Sequence, residues 1–193
     1  MIECGAATES DMVLAFLRAE VDSPRFSHAV QNCLLMLEHD RLLIDNADVA
    51  DIRENGVRRA LLGCYRGYGH DAYLFRGFPN DVRWRRLLLE KGDLRTLLYA
   101  REPSWIAFSD GTRLVSAGAK NAAVSPTGEG AIVVAKAIKE GTQFPELIVA
   151  DAAEGPLVLV EGHTRATAHV LAGSEAVEVI IGSSKQMARW EYY

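Results

Sequence analysis

No apolar run in the chain approaches the roughly 18–20 residues that a membrane span requires. Its opening stretch, MIECGAATESDMVLAFLRAE, carries early acids where a signal peptide would carry a basic segment. A cytoplasmic location without membrane contact is therefore the default expectation. Cysteine is scarce as well. Cys4, Cys33 and Cys64 are the only three, all lie in the first third of the chain, and no two have Cys-x-x-Cys spacing. An odd count at such spacings argues against a disulfide framework or a zinc site. Cys33 and Cys64 fall in apolar helical patterns and read as buried thiols. What remains is 193 residues with 49% apolar and 24% charged side chains. Those values suit one substantial core, or one core with a helical appendage.

Net charge is −5, but its distribution is uneven. Residues 1–52 carry ten acids against three bases, and residues 53–101 carry eleven bases against five acids. From residue 102 onward there are eleven acids and seven bases. A basic island in an acidic chain has two readings. It meets an anionic partner, nucleotide or nucleic acid, or it pairs with the acidic N-terminal segment inside the same fold.

Helical periodicity dominates residues 1–100. Ser10 and Asp11 can cap a helix whose face carries Val13, Phe16 and Leu17. A second helix shows Val30, Cys33, Leu34 and Leu37 on one stripe. A third carries Val49, Ile52, Val57 and Leu61, with Gly56 marking a break or a strained turn. Asp81 can cap a fourth, VRWRRLLLEKG. The pattern changes near Trp105. SWIAFSDGTRLV is a short apolar run with a Ser-Asp-Gly-Thr turn, and residues 121–130 read as a loop. A helix through AIVVAKAIKE ends at Gly141. Strands at 147–150 and 157–160, a helix at 164–172 and a last strand in VEVIIGS follow. The prediction is an α+β fold with a mostly helical region, 1–100, packed on a small mixed-sheet domain, 101–193.

The stretch LVLVEGHTRATAHVLAG, residues 157–173, carries the chemistry. A strand that ends in glycine and leads directly into a helix presents free N–H groups and the positive end of the helix dipole. Gly162 permits close backbone approach. Thr164 can cap the helix or offer its hydroxyl to a phosphate oxygen. Arg165 supplies a planar fork. His163 can donate to phosphate or shuttle a proton. Glu161 is placed to act as a general base or a magnesium ligand. The plainer reading makes Thr164 a cap, Gly162 a turn and the others solvated.

The order helix, strand, strand, Gly-His-Thr-Arg turn, helix and strand across residues 130–183 resembles the ParB/sulfiredoxin fold. Its closest likeness is to the free-serine kinase branch, whose motif reads Asp-Gly-His-Thr-Arg. Here Gly162, His163, Thr164 and Arg165 match, and Glu161 stands in place of the aspartate. The resemblance implies a turn that binds nucleotide phosphates and an acidic residue, Glu161, that takes part in catalysis; His163, by its own chemistry, is the second catalytic candidate. Sulfiredoxin chemistry is disfavoured, because Gly162 occupies the position of its catalytic cysteine. A full partition protein is excluded in this reading by the short tail after the last strand.

A second hydroxyl-glycine-arginine cluster, Ser109, Thr112 and Arg113 around Gly111, could grip a distal phosphate; a surface hairpin turn is the alternative. These readings lead to a nucleotide- or phosphate-binding protein, an Mg-dependent small-molecule kinase or nucleotide hydrolase. It would use Mg²⁺ with ADP, ATP or CTP and a small-molecule acceptor. The alternative is a non-catalytic ParB-like nucleic-acid-binding or regulatory module that uses the basic segment 53–101, chiefly Arg83, Arg85 and Arg86, with stacking aromatics beside them. Pairing into a homodimer is left open.

Overall fold

Thr8 starts the first helix. Its hydroxyl accepts from the Asp11 N–H at 3.2 Å, and the Asp11 carboxylate accepts from the Thr8 N–H at 2.7 Å. This reciprocal box satisfies two otherwise orphaned donors and sets α1 at Glu9–Glu20. The cap therefore lies just ahead of the Ser10–Asp11 pair that the sequence suggested. In the computed structural model, which describes all 193 residues, α1 is followed by α2 (Ser27–Met36), α3 (Leu42–Asp45) and α4 (Ile52–Arg66). The Asp51 carboxylate caps α4 by accepting from the N–H groups of Arg53 and Glu54, and Gly67 ends it at φ 81°. Gly56 does not break α4. Burial of Leu61 and Leu62 outweighs the propensity lost at that one position.

Five strands form one mixed sheet in the order β1-β2-β5-β3-β4, giving the α+β fold expected. They are β1 (Ile2–Ala6), β2 (Arg83–Glu90), β3 (Leu147–Asp151), β4 (Val158–Glu161) and β5 (Ala176–Ser183). Only the β3–β5 pairing is parallel. The segment Arg83–Glu90, read from sequence as part of a helix capped by Asp81, is instead a strand. Its side chains alternate, Trp84 packing into one core while Leu87 and Leu89 pack into the other. Asp81 takes the Ser184 hydroxyl at 2.6 Å rather than a helix cap.

The remaining helices are α5 (Lys91–Thr96), α6 (Pro103–Phe108), α7 (Val115–Asn121), α8 (Pro126–Lys139) and α9 (His163–Ala172). Two readings are corrected here. The short apolar run SWIAF is helical, started by Pro103 at its first position. The expected loop at 121–130 gives way at Pro126, where α8 begins for the same reason. No helix is long and apolar enough to cross a membrane.

The sheet lies between two helical layers. Residues of α1, α2, α3 and α4 meet Ile148, Ala150, Val158, Val160 and Ile180 on one face. Residues of α5, α6, α7 and α9 meet Leu147, Val149, Leu159, Val179 and Ile181 on the other. Strands buried on both faces become continuous apolar runs, which explains LIVA and VLV. Residues of 1–100 and of 101–193 both contribute strands to the one sheet and side chains to each of the two apolar clusters that flank it.

Two features of the helical layer depart from expectation. Cys33 and Cys64 form a disulfide between α2 and α4, with Cα atoms 6.3 Å apart, and Cys64 is exposed. Sequence spacing could not show that the two helices pack with these positions facing. Arg58, from the basic island, is fully buried at 1% exposure. Its guanidinium donates to the carbonyls of Leu43 (3.0 Å) and Asp48 (2.7 Å), to Asn55 (2.7 Å) and to Glu54 (2.8 Å). It acts as an internal brace that fixes α3 and the loop before α4.

Arg58→Ala strips the partners from two backbone carbonyls. It should cost about 3 kcal/mol, read as a lower urea midpoint at unchanged slope. Arg58→Lys should recover only part of this, because one ammonium cannot span four acceptors. A loss below about 0.5 kcal/mol for the alanine variant, the range of ordinary surface changes, would show that the brace is dispensable.

Candidate functional site

Gly162 makes the turn between β4 and α9. It is the N-cap of α9 and lies at φ 98°, ψ 22°, the left-handed region that favours glycine. A Cβ there would come 2.5 Å from the Leu147 Cδ2 atom, so space as well as conformation excludes larger residues. No side chain caps the helix, and the N–H groups of Gly162, His163, Thr164 and Arg165 find no acceptor in the protein. The first intrahelical bond runs from the Ala166 N–H to the Gly162 carbonyl at 2.7 Å. Thr164 rests its methyl near Gly130 of α8, and its hydroxyl has no protein partner. The turn therefore offers several convergent donors beside the positive end of a ten-residue helix.

Arg165 does not present the open fork that the sequence suggested. It is 8% exposed, and its guanidinium donates to the carbonyls of Pro145 and Glu146 and to the Glu161 carboxylate. Glu161 Oε2 is taken by that pair. The other oxygen, Oε1, accepts nothing from the protein, so Glu161 keeps one oxygen for chemistry.

His163 is held in a ring stack. Its centroid lies 5.0 Å from that of Trp105 and 5.9 Å from that of Tyr99, with interplanar angles of 23° and 12°. The Tyr99 hydroxyl bonds Thr167 at 2.6 Å, and Thr167 donates back to the His163 carbonyl at 2.8 Å. The Ala100 N–H approaches His163 Nε2 at 3.2 Å, which makes that nitrogen the acceptor and leaves any ring proton on Nδ1. Burial, and after it the guanidiniums of Arg66, Arg25, Arg165 and Arg113, push His163 down to about 3. It is neutral at pH 7, an acceptor rather than a cationic phosphate donor. His169, one turn on, pairs through Nδ1 with Ser174 at 2.9 Å and is pushed down to about 4 by burial and by Arg165.

The cluster at 109–113 is closed on itself, contrary to the phosphate-gripping expectation. Ser109 is fully buried, its hydroxyl donating to the Trp105 carbonyl at 2.8 Å and accepting from the Arg113 N–H at 2.9 Å. The Thr112 hydroxyl donates to the Ser109 carbonyl at 2.7 Å. The Arg113 guanidinium donates to the carbonyls of Tyr99, Tyr192 and Tyr193. Of the three, only Arg113 adds to the field at His163.

A second wall, which no motif marked, comes from the N-terminal helices. Glu20 is 2% exposed and pairs with Arg66, whose Nε donates at 3.0 Å. Burial raises the Glu20 carboxyl, opposed by Arg66 and helped by the charge of Glu161. The Tyr65 hydroxyl is buried beside Glu20 without a formed hydrogen bond, and burial pushes it well up. The Arg66 guanidinium carbon lies 3.6 Å from the Phe26 ring centroid, and Arg25 lies 5.1 Å from the same ring. Arg25 and Arg101 are exposed and take no carboxylate partner. Burial, and after it the charge of Arg101, lowers Arg113. Four guanidiniums (Arg66, Arg25, Arg165 and Arg113) therefore act on the buried His163, two of them already paired, Arg66 with Glu20 and Arg165 with Glu161. The sequence signal was a cationic excess split among three distant segments, which a linear motif cannot display.

A cavity of about 300 Å³ lined by Asp11, Arg18, Arg86, Phe144, Pro145 and Glu146 lies behind this arrangement. It shares Pro145 and Glu146 with the Arg165 clasp but not the free N–H groups of the turn. No group of three or more His, Cys, Asp or Glu side chains is placed to hold a metal ion. No protein-family model, characterised protein or solved structure matches this chain.

The depressed histidine has a pH signature. Unfolded, His163 titrates near 6.5, and folded only near 3, so below pH ~6.5 the unfolded chain binds the extra proton. Its contribution to stability is complete above that value and is lost as pH falls toward the folded value. Urea unfolding of the wild type should lose up to ~1.4 kcal/mol per pH unit per such histidine below pH 6. His163→Gln should flatten the profile between pH 6 and 5, where few carboxylates titrate. Parallel profiles for both proteins would mean that the imidazole is solvated normally.

Proposed function

We propose that this protein binds the phosphate groups of a nucleoside di- or triphosphate at the start of α9 and is an enzyme of phosphoryl transfer or nucleotide hydrolysis. The observation that carries this reading is the set of unsatisfied N–H groups at 162–165 beneath an unbalanced arginine field. An anion there meets fixed donors, the helix dipole and desolvated positive charge together. The cationic contacts fall to Arg25 and Arg101, with Arg66 as the inner wall. Arg165 acts as the structural clasp, and Thr164 adds a free hydroxyl.

Glu161 supplies the acid–base arm through Oε1, while Oε2 stays on Arg165. The likeness of the Gly-His-Thr-Arg turn to the free-serine kinase branch favours the same assignment. Magnesium would arrive with the nucleotide and draw on this one carboxylate oxygen, in keeping with the small share of protein ligands such ions take. His163, neutral and wedged between rings, shapes the turn and accepts rather than donates on its Nε2 side. The nucleic-acid alternative has weaker support. Arg85 pairs with Glu3, and Arg86 pairs with Asp11 and Glu146, leaving Arg83 alone of the three without a carboxylate.

Thermal unfolding with ATP, ADP, CTP and pyrophosphate, each with magnesium and against ionic-strength controls, tests the reading. At ~100 times Kd a bound nucleotide should stabilise the fold by about 2.7 kcal/mol. Arg25→Ala combined with Arg101→Ala should weaken binding at least ~10-fold, at about 1.5 kcal/mol per charged contact. Glu161→Gln, which still offers Arg165 an amide oxygen, should keep binding and lose turnover by about 10²-fold or more. If none of the four ligands moves the melting temperature, the phosphate site does not exist.

A further inference from the structure

The Cys33–Cys64 disulfide serves no step in the function proposed above, yet it sits against the inner wall of that site. Cys33 belongs to α2 and is 7% exposed, while Cys64 of α4 is open to solvent. Cys64 directly precedes Tyr65 and Arg66, the last two residues of α4. At the other end of the contact, Phe26 is the N-cap residue of α2 and carries no side-chain cap. Its ring lies under the Arg66 guanidinium at 3.6 Å. The two helices joined by the bridge thus supply both halves of the Arg66–Phe26 contact, and Glu20 of α1 holds the same guanidinium from a third side. Beyond the bridge, α2 is anchored to the core through Val30 and Leu34 alone among its fully buried apolar side chains.

We propose that this disulfide is a redox modification site whose substrate is a low-molecular-weight thiol or dithiol, and that its state sets the position of Arg66. The part concerning Arg66 and ligand rests on the phosphate-site reading; the exchange chemistry does not. A thiolate of the external dithiol attacks Cys64 Sγ, the accessible end of the bond. The S–S bond to Cys33 breaks as a new S–S bond to the reductant forms, and the electron pair leaves on Cys33 Sγ, which takes a proton. The second thiolate of the reductant then attacks its own sulfur in the mixed disulfide and releases Cys64, which takes another proton. The dithiol departs as a cyclic disulfide, having given two electrons, and both protein cysteines end as thiols. With the bridge open, α2 is free to part from α4 at its uncapped end, and Arg66 loses the ring beneath it.

The experiment uses the full chain carrying Cys4→Ser, which removes the one exposed cysteine outside the pair. Native protein treated with iodoacetamide should gain no label by intact mass, and two labels after incubation with dithiothreitol at neutral pH without denaturant. Two labels before reductant, or none after it, would overturn the exchange site. Hydrogen exchange compares the reduced with the oxidised protein. Amides of residues 26–30 and 64–67 should exchange at least ~10-fold faster when reduced, the loss of one cationic contact. Unchanged exchange would overturn the link to Arg66. Pyrophosphate affinity should fall about tenfold on reduction. Cys33→Ser with Cys64→Ser should match the reduced protein and ignore dithiothreitol. Equal affinity in both states would overturn the coupling. Absence of pyrophosphate binding in both states would instead refute the phosphate reading, leaving the labelling and exchange results to decide the redox site.

Discussion

The buried guanidinium of Arg165 ties the approach to β3, the end of β4 and the first turn of α9 into one unit. It does so by satisfying two backbone carbonyls and one carboxylate that burial would otherwise leave costly. The tie continues outward. Glu146, whose carbonyl Arg165 holds, extends its carboxylate to Arg86 of β2 at 2.8 Å, and Arg86 reaches Asp11 of α1 at 3.0 Å. Asp11 in turn closes the capping box that begins α1. One polar path thus runs from the candidate site, past the start of β3 and through β2, to the first helix. The ionic links grow more solvated along the path, from the buried Arg165 to the partly exposed Arg86 and Asp11. The site is shaped because Arg165 is occupied: its guanidinium is committed to the Pro145 and Glu146 carbonyls and to Glu161, while the N–H groups of the turn have no acceptor in the protein.

The C-terminal half was legible because its signals are short-range. Apolar runs bounded by glycine and proline gave β3, β4 and β5 to within a few residues, and Gly162 and Gly173 mark both ends of α9. The first half hid its strands. RWRRLLLE alternates toward two different cores, so both of its faces carry apolar residues and the charge-rich start mimics a helix. β1 is mostly exposed and carries no hydrophobic pattern to find. At the site, Gly162 and Glu161 could be placed from sequence, because strand, glycine and helix are adjacent there. The partners of Arg165, and the wall formed by Glu20, Tyr65 and Arg66, could not. Arg165 reaches back 20 residues to Pro145 and 19 to Glu146, and Arg66 meets Glu20 across 46 residues of chain.

The uneven charge found in the sequence largely resolves inside the fold. Arg59 meets Glu9, Arg66 meets Glu20, Arg85 meets Glu3, and Arg86 meets Asp11, so the acidic N-terminal segment neutralises much of the basic island. These pairs differ in weight. Arg59–Glu9 and Arg85–Glu3 are exposed and contribute little to stability. Arg66–Glu20 is desolvated, so removing either partner strands a charge in the core. Near α9, Arg25 and Arg101 are exposed and remain without a carboxylate partner after this internal pairing.

The two margins of the sheet are finished differently. Along β4 the outer backbone is covered, since Leu98 exchanges hydrogen bonds with Leu157 and Leu159 at 2.9 and 2.8 Å. β1 has no neighbour beyond it, and such a row of unpaired backbone groups invites another strand. Two devices blunt that invitation: the register slips between Glu3 and Gly5, and Glu3 places a carboxylate on the strand. Self-association by strand addition is thereby discouraged at the single place where the architecture would permit it. Replacing that one acidic residue with an apolar one would remove a safeguard against aggregation without altering a single buried contact.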